Sequence, residues 1–422
     1  MKRRQFIKSV SAAAGATVMF PSVDIMSACD RPDANGKWDF DETIDRNGTW
    51  SIKYGRAGEG QIPMWIADMD FRTAPAVSAA LRHRLDQDVM GYTAAPDAFF
   101  ESIVAWESRM HHWPIQKEWV AYCPGVITSI NQAYLAFTNP DDSIIVQPPV
   151  YDHFRKYAEC LGRRVIDNPL IFDGGHYRMD FDGLDKLLAD DATRMLILCN
   201  PHNPCGIVWD KETLQRLATM CRQRGVTVIS DEIHGDLAMP GKRHTPFCSV
   251  SEDAAAVGMV FTGPTKAFNI AGIGMTAYCV IPDDQLRDRY LKQLYINKLN
   301  EAPLASLVAT IAAYTQGEPW LQSLREYLQG NIQEVIDFFV ANNLGIKAIR
   351  PQASFLLWLD CREMRLSQDK LMQFFSDKAR VIVSDGAAYG PGGEGFVRMN
   401  IGCPRSLVKQ ALSRIRRATT TP

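Results

Sequence analysis

The sequence lacks an excess of charge of either sign. Its 422 residues include 46 Lys and Arg against 48 Asp and Glu, which gives a formal net charge of −2. A nucleic-acid-binding chain carries a basic patch or stripe, and this composition predicts none. The sequence also has no apolar run near the ~18 residues that a membrane-spanning helix requires, and no internal repeat or low-complexity tract. These absences argue against a nucleic-acid partner, a membrane-spanning protein and a repeat protein.

The ten cysteines form neither a C-x-x-C pair nor the spacing of a metal site. Cys199 and Cys279 lie inside apolar, strand-like runs. We therefore expect buried free thiols and no metal ion. Cys205 lies in a turn rich in Pro and Gly, where a small residue is a simpler explanation than a catalytic thiol.

The first 30 residues predict an export signal rather than part of the fold. Arg3 and Arg4 precede Phe-Ile-Lys, and a small, mildly apolar stretch follows at 10–20. This pattern resembles a bacterial twin-arginine signal; a basic disordered terminus is the alternative. Met26-Ser-Ala-Cys29 has the outline of a lipobox, which would lipidate Cys29. We expect a periplasmic protein that contacts a membrane only if lipidated, or a cytoplasmic one if the alternative holds.

The remaining chain predicts an α/β fold in more than one domain, because 422 residues with 46% hydrophobic content can bury a large core. Residues 31–74, rich in Gly, Asp, Trp and Pro, predict an arm. In 75–301, strands apolar on both faces alternate with amphipathic helices, which indicates a mostly parallel sheet between helices. Residues 302–422 predict a smaller α+β domain. The expected strands begin at Ser143, Met195, Val226, Gly258, Ser354, Arg380 and Phe396.

Two residues that follow predicted strands carry the chemistry of a pyridoxal 5′-phosphate (PLP) enzyme. Asp231 ends one strand, and Lys266 follows another among small and hydroxylated residues. A lysine amine can bond covalently to the cofactor aldehyde, and an aspartate can keep its pyridine nitrogen protonated. The pair therefore predicts an enzyme that acts on amino acids.

Other positions suit the remaining parts of such a site. Gly125 opens a helix whose first N–H groups suit a phosphate, and Asn203 offers an amide from a turn after a strand. Tyr151 follows a strand end, where open α/β sheets bind ligands. Arg398 lies inside an apolar strand and needs an anionic partner, either a substrate carboxylate or a structural Asp or Glu.

The order and spacing of four residues carry a family resemblance. Asn203, Asp231, Lys266 and Arg398 are separated by 28, 35 and 132 residues, as in the fold-type I aminotransferase superfamily, and the resemblance runs from about Trp38 to Arg416. Finer motifs resemble its cystathionine β-lyase, or cysteine C–S lyase, branch. They are Pro63-Met-Trp-Ile-Ala-Asp-Met-Asp-Phe71, Gly91-Tyr-Thr93, Pro124-Gly-Val126, Ser230-Asp-Glu-Ile-His234 and Thr262-Gly-Pro-Thr-Lys-Ala-Phe-Asn269.

The resemblance implies a fold-type I PLP-dependent transferase and gives roles to individual residues. It makes Lys266 the catalytic lysine that bonds the cofactor, Arg398 the clamp on the substrate carboxylate, and Ala67 a second substrate contact. Tyr92 would reach the phosphate of the neighbouring subunit, which implies a homodimer. The implied cofactor contacts are Tyr92, Gly125, Val126, Tyr151, Asn203, Asp231, His234, Thr262, Thr265 and Lys266.

Some positions depart from the common pattern of the superfamily. His234 stands where many aminotransferases have a tyrosine, although histidine is usual in this branch. Thr265 and Gly263 stand where serine and alanine are common, and Cys205 replaces the threonine of the usual Asn-Pro-Thr-Gly turn. We expect these changes to preserve cofactor binding.

The implied function is a PLP-dependent β-lyase that cleaves cystathionine or related cysteine S-conjugates to pyruvate, ammonia and a thiol. An amino-acid aminotransferase is the alternative, because the shared motifs serve both reactions. A PLP-bound regulatory or binding protein is the second alternative, and intact Lys266, Asp231 and Arg398 argue against it.

Overall fold

The computed structural model describes residues 38–274 and 276–420. The predicted export signal, with Cys29, lies outside the described residues. Within them, no helix is both long and apolar enough to cross a membrane.

The strands belong to one large sheet, one smaller sheet and two short pairs. In chain order they are β1 (Ile62–Pro63), β2 (Val120–Cys123), β3 (Ser143–Val146), β4 (Arg164–Asp167), β5 (Ile171–Asp173), β6 (His176–Arg178), β7 (Thr193–Cys199), β8 (Thr227–Asp231), β9 (Gly258–Thr262), β10 (Ala277–Val280), β11 (Lys347–Ile349), β12 (Leu356–Asp360), β13 (Val381–Ile382), β14 (Ser384–Asp385) and β15 (Phe396–Asn400).

The large sheet has seven strands in the order β2-β10-β9-β8-β7-β3-β4, and within it β10 alone runs antiparallel to its neighbours. Its inner strands are buried on both faces, as β7 illustrates. Met195 and Ile197 pack into one apolar cluster and Leu196 and Leu198 into another on the opposite face. The continuous apolar run of such a strand follows from this double burial.

Helices cover both faces of the large sheet and also occur throughout the rest of the described chain. They are α1 (Ile52–Gly55), α2 (Pro75–Leu85), α3 (Asp97–His111), α4 (Val126–Phe137), α5 (His153–Cys160), α6 (Phe181–Leu188), α7 (Lys211–Arg224), α8 (Glu252–Val257), α9 (Asp284–Ile296), α10 (Leu304–Gln316), α11 (Glu318–Asn342), α12 (Gln368–Gln373) and α13 (Arg405–Thr420).

Helix α7 shows how local sequence sets these bounds. The Asp210 carboxylate accepts a hydrogen bond from the Thr213 N–H and caps the first turn. Gly225, with φ +65°, ends the helix in the left-handed conformation that glycine adopts without strain. Between them the buried residues recur at the spacing of one helix face: Leu214, Leu217, Ala218 and Cys221.

The smaller sheet is antiparallel, in the order β11-β12-β15-β14. The segment that precedes α2 joins this part of the molecule, because β1 pairs in parallel with β13. Helix α10 packs against α2 and α3, so the helical stretch after 301 begins on the larger unit. The domain limits drawn at 74 and 301 remain predictions.

The topology brings six strand ends to one edge of the large sheet. Strands β2, β3, β4, β7, β8 and β9 all run in the same direction. Their carboxyl ends therefore lie side by side, which is where ligands bind in open α/β sheets.

Candidate active site

Lys266 lies in the loop after β9, at this edge. Its Nζ donates a hydrogen bond of 2.7 Å to the Ala67 carbonyl oxygen. Burial lowers the pKa of the Lys266 amine; Arg398 adds to this effect, while Asp68 and Asp231 oppose it. A lysine with a lowered pKa is a better nucleophile and proton acceptor near neutral pH.

The loop that carries Lys266 runs close to the strand beside it. A Cβ atom on Gly263 would lie only 2.6 Å from the Thr276 carbonyl oxygen. Glycine therefore permits this close approach.

Asp231 ends β8, beside Cys199 at the end of β7. Its Oδ1 accepts a hydrogen bond of 3.1 Å from the Ile233 N–H. Burial raises the pKa of the Asp231 carboxyl to about 7, and Glu232 acts in the same direction, against the Ile233 hydrogen bond and Lys266. A buried carboxyl of this kind favours a cationic partner, such as a protonated pyridine nitrogen.

Arg398 extends from β15 towards the end of β7 and is buried. Its guanidinium donates to Asn203 Oδ1 at 3.0 Å, to the Trp65 carbonyl oxygen at 2.8 Å and to Ser384 Oγ at 3.3 Å. None of the described residues gives it a carboxylate partner. Its Nε is buried without a hydrogen bond. A buried, un-neutralised guanidinium suits a carboxylate ligand and argues against the structural ion pair.

Asn203 and Tyr151 lie beside this guanidinium. The Tyr151 N–H donates to the Asn203 carbonyl oxygen at 3.1 Å. The Tyr151 ring stacks on His153 with centroids 4.7 Å apart. The structure thus places Tyr151 at the same edge as Asn203 and Asp231, and its stacking on a cofactor ring remains a prediction.

His234 is buried near Lys266 and Arg398. Burial lowers the pKa of the His234 imidazole to about 3, and the charges of Lys266 and Arg398 act in the same direction. Its Nδ1 has no hydrogen-bond partner. The imidazole is therefore neutral at neutral pH and has one ring nitrogen available to a ligand.

The expected phosphate end lies at the start of α4. Gly125 has φ +89° and no side chain with which to cap α4, so the N–H groups that begin at Val126 are available to an anion. Ala277 pairs with Cys123, which places Thr276 near this helix start. The Thr265 hydroxyl donates to the Thr276 carbonyl oxygen at 2.7 Å and lies 2.9 Å from the Thr276 hydroxyl. The N–H groups at the start of α4 are thus open to an anion, and a contact of Thr265 with the phosphate remains a prediction.

Thr262 and Tyr92 do not contribute to this anion site within a single chain. The Thr262 hydroxyl donates to the Glu232 carbonyl oxygen at 3.1 Å, so its proton is already used. Tyr92 is fully exposed. Its predicted phosphate contact would have to be made in another subunit.

The segment 65–68 forms a wall of the site, and each of its carbonyl oxygens accepts a side-chain hydrogen bond. Trp65 is held by Arg398 and Ala67 by Lys266. Asn400 Nδ2 donates to both Ile66 and Asp68, at 2.6 Å each. The wall is therefore fixed through its main chain to the two residues expected to act on substrate.

Sequence reasoning gave no role to Asn269, Asn400 or Thr276. Asn400 had a detectable signal, since it lies two positions after Arg398 and so on the same face of β15. Asn269 bonds the Met69 N–H through Oδ1 and the carbonyls of Met69 and Phe71 through Nδ2, at 2.8–2.9 Å. It links the Lys266 loop to the segment that continues the wall.

Replacement of Asn269 tests this link. Its φ of +55° is strained for most residues but not for glycine. Asn269→Gly removes the three hydrogen bonds without adding backbone strain, and we expect it to lower the free energy of unfolding by about 2–4 kcal/mol. Asn269→Ala should lose about a further 1 kcal/mol because alanine also bears the backbone strain. Urea unfolding of both variants measures this; equal stability of the two would contradict the strain argument.

The described residues fit PLP. They supply an amine of lowered pKa, a buried carboxyl that lacks a cationic hydrogen-bond partner, an anion site at a helix start and an un-neutralised arginine. These four groups match the aldehyde, the ring nitrogen, the phosphate and the substrate carboxylate respectively.

Within residues 38–274 and 276–420, no cluster of three or more His, Cys, Asp or Glu could hold a metal ion. Nine described cysteines are free, and all but Cys160 are buried. Burial raises the pKa of the Cys205 thiol well above its usual value, which leaves it a poor nucleophile. Cys205 therefore acts as a small core residue.

This fold and site define a fold-type I PLP-dependent transferase, as the sequence predicted. The chain belongs to the class I and II aminotransferase family, whose model matches residues 60–415. It is 40% identical to the cystathionine β-lyase PatB of Bacillus subtilis, over 90% of this chain and 99% of that protein.

Two solved structures are similar over almost their whole length. Cystalysin from Treponema denticola, which contains a PLP cofactor, has a TM-score of 0.87 and 32% identity over 90% of this chain and 98% of its own. A PLP-bound C–S lyase from Staphylococcus hominis has a TM-score of 0.85 and 30% identity, over 91% and 99%. The resemblance to the C–S lyase branch is confirmed at the level of the family.

Proposed function

We propose that the protein is a PLP-dependent carbon–sulfur β-lyase that cleaves cystathionine or related cysteine S-conjugates to pyruvate, ammonia and a thiol. The observation that carries the proposal is the convergence of Lys266, Asp231 and Arg398 at the strand ends, with Arg398 lacking a carboxylate partner among the described residues. Relatives named as cystathionine β-lyase and C–S lyase, at 40% and 30% identity, support the branch.

PLP, when bound, supplies an aldehyde that joins the substrate amine and a ring that withdraws electrons from the substrate α carbon. Asp231 would hold a proton at the ring nitrogen. Gly125, Val126 and Thr265 would hold the phosphate through N–H and hydroxyl groups. Lys266 would hold the cofactor covalently.

The substrate is oriented by Arg398 and deprotonated by Lys266. The guanidinium fork binds the α-carboxylate and replaces bulk water as its partner. The Lys266 amine, whose pKa is lowered by burial, accepts the α proton. Neutral His234 adds no positive charge beside these two groups. Loss of the thiolate from the β carbon would break the C–S bond, and water would hydrolyse the remaining three-carbon enamine to pyruvate and ammonia.

Product analysis separates this reaction from transamination. Cofactor-loaded protein is mixed with L-cystathionine, and separately with L-alanine or L-glutamate, while pyruvate, ammonia and free thiol are measured. Equal amounts of the three products without a keto-acid acceptor are expected. Conversion of the cofactor to its amine form, with turnover only after addition of a keto acid, would instead establish an aminotransferase.

The active unit is a homodimer in which Tyr92 completes the phosphate site of the other subunit. Tyr92 is fully exposed, and Val89 and Met90 beside it are largely so, which supports burial of this loop by a second copy. Such apolar exposure is common at subunit interfaces.

Mixing two inactive variants tests the exchange of Tyr92. Lys266→Ala and Tyr92→Ala are each expected to be weakly active alone. After the subunits are mixed and re-associated, the mixed dimer contains one intact site, so activity should recover to about a quarter of the wild-type level. If Tyr92 served its own subunit, mixing would restore nothing. Native mass spectrometry of the mixture, which separates the mixed dimer from the two homodimers, serves as the exchange control.

The export signal at residues 1–30 is a further part of the proposal. Arg3 and Arg4 support a twin-arginine route, which would place the enzyme in the periplasm. Replacement of both by lysine should retain the protein in the cytoplasm, as fractionation and immunoblotting would show.

A further inference from the structure

Three hydrogen-bond donors converge on one oxygen of the buried Glu232 carboxylate. Its Oε1 accepts from Ser230 Oγ at 2.6 Å, from the Phe247 N–H at 2.8 Å and from Asn200 Nδ2 at 3.4 Å. The main-chain N–H of Phe247 and the amide N–H of Asn200 can only donate. Because donors stabilise the charged form of a carboxyl, this environment favours ionised Glu232.

His244 pairs with Glu232 but does not cancel its charge. The His244 Nε2 lies 2.7 Å from Glu232 Oε2, and both side chains are almost completely buried. The His244 Nδ1 is also buried and has no hydrogen-bond partner. An imidazolium would place a second N–H at Nδ1 without an acceptor, whereas a neutral ring leaves only a lone pair there. The ring is therefore neutral, with its proton at Nε2, and the pair carries one negative charge.

Asn200 joins this buried anion to Asp231. Its main-chain N–H donates to the Asp231 carbonyl oxygen at 2.9 Å, and its side chain donates to Glu232. Glu232 follows Asp231 directly in the chain, after the end of β8. The charge of Glu232 therefore acts on the Asp231 carboxyl through a buried region, where such interactions are stronger than in water. A second anion beside a carboxylate increases the affinity of that carboxylate for a proton.

Other titratable groups lie near these two carboxylates. Around Asp231 they are Lys266, Cys199, Tyr134 and Tyr151. Burial raises the pKa of the thiol and of both phenols, so these three stay neutral, and Lys266 opposes the effect of Glu232. Around Glu232 they are His244, Cys248, Glu107 and His111.

Two members of the second group also titrate. Burial raises the pKa of Glu107 to about 7, which is also the value for Asp231. Burial alone would lower the pKa of His111, but its hydrogen bond to Asp236 and the nearby carboxylates raise it. The titration of Asp231 is therefore resolved only by comparison with a variant that lacks its carboxyl.

We propose that Glu232 is a positioning residue: its negative charge, preserved by neutral His244, strengthens the hold of Asp231 on a proton at the cofactor ring nitrogen. The inference rests on the proposed function for the identity of the ring, whereas the effect on Asp231 is a property of the chain alone. Glu232→Gln keeps the shape of the side chain and removes the charge. Asp231 should then release its proton at a pH about one unit lower, which is about a tenfold loss of proton affinity.

Urea unfolding of the cofactor-free protein measures this shift. The stability that depends on Asp231 is the difference between Glu232→Gln and Glu232→Gln/Asp231→Asn, and the same difference is measured in the wild-type background. Because burial raises the pKa of Asp231 on folding, this stability is lost as the pH rises through the folded value, about 7 in the wild type. We expect the loss about one pH unit lower in Glu232→Gln.

Glu107→Gln is the matched control for this variant. It makes the same change at another buried carboxyl near Glu232, and Glu107 is not among the charges that act on Asp231. The loss of stability that depends on Asp231 should therefore stay where it is in the wild type. Glu232→Gln/His244→Gln, in which two amides can pair, provides a second variant without the charge, with its folding checked by circular dichroism.

Nitrogen NMR of the protein loaded with PLP that is isotope-labelled at the ring nitrogen tests the effect on the cofactor. The proton should leave this nitrogen at a lower pH in Glu232→Gln than in the wild type or in Glu107→Gln. An unchanged titration of Asp231, or a shift there without a change at the ring nitrogen, would overturn the proposal. Both shifts in a protein that does not cleave cystathionine would uphold the proposal and contradict only the lyase reaction.

Discussion

Lys266→Ala should lower the rate of cystathionine cleavage by about 10³-fold or more, because it removes both the covalent anchor and the proton acceptor. The rest of the site should survive, since among the described residues Nζ bonds only to the Ala67 carbonyl oxygen. Pyruvate formation measures the loss. Borohydride reduction and peptide mass spectrometry should find cofactor on residue 266 of the wild type and on no residue of the variant.

The matched control for this variant is Lys370→Ala, which changes an exposed lysine in α12. It should keep wild-type activity and labelling. A Lys266→Ala protein that retained cleavage within tenfold of wild type would contradict the assigned chemistry. One that lost cleavage but kept its full effect in the cell would favour the PLP-bound regulatory protein instead.

Asp231→Asn should lower turnover by about 10²- to 10³-fold, because an amide of the same shape cannot hold the pyridine nitrogen protonated and leaves that charge without a partner. Substrate KM should change little, since Arg398 is intact. A loss confined to KM would contradict the role given to Asp231. The absorption spectrum of the bound cofactor should also change, whereas a purely structural role would leave it unaltered.

The same carboxyl makes a prediction for the cofactor-free protein. Its pKa of about 7 when folded exceeds the ordinary aspartate value of 3.8, so the folded state binds the proton more tightly. The stability it contributes is complete below about pH 4 and is lost as the pH rises to about 7. Because the amide does not titrate, urea unfolding should show the stability of the wild type falling relative to that of Asp231→Asn between pH 5 and pH 8. A difference independent of pH would contradict the raised pKa.

The buried strands, and the reactive residues close to their ends, were predictable from the sequence. The apolar runs of β3, β7, β8 and β9 indicated buried strands, and the fold class drawn from them is confirmed. Asp231 was found because it ends one of these strands, and Lys266 because it follows another. The apolar run around Cys279 corresponds to β10, but its antiparallel direction could not be predicted because it depends on pairing with β2 and β9.

The partners of Arg398 and Lys266 could not be predicted for a related reason. Both side chains donate to main-chain carbonyls more than 190 residues away in the sequence, at Trp65 and Ala67. Every residue has a carbonyl group, so no residue type identifies these acceptors. Long-range main-chain contacts become visible only when the fold is known.

The main-chain anchoring of 65–68 bears on how this enzyme could acquire new substrates. Arg398, Asn400 and Lys266 hold carbonyl oxygens, whereas the side chains of the wall are held elsewhere: the Trp65 indole donates to the Lys53 carbonyl oxygen, and the Asp68 carboxylate lies 3.8 Å from Lys53 Nζ. Natural variation or a mutant library could alter the Ile66 side chain while the reactive groups keep their positions. The fold thus separates the part of the site that diversifies from the part that catalyses.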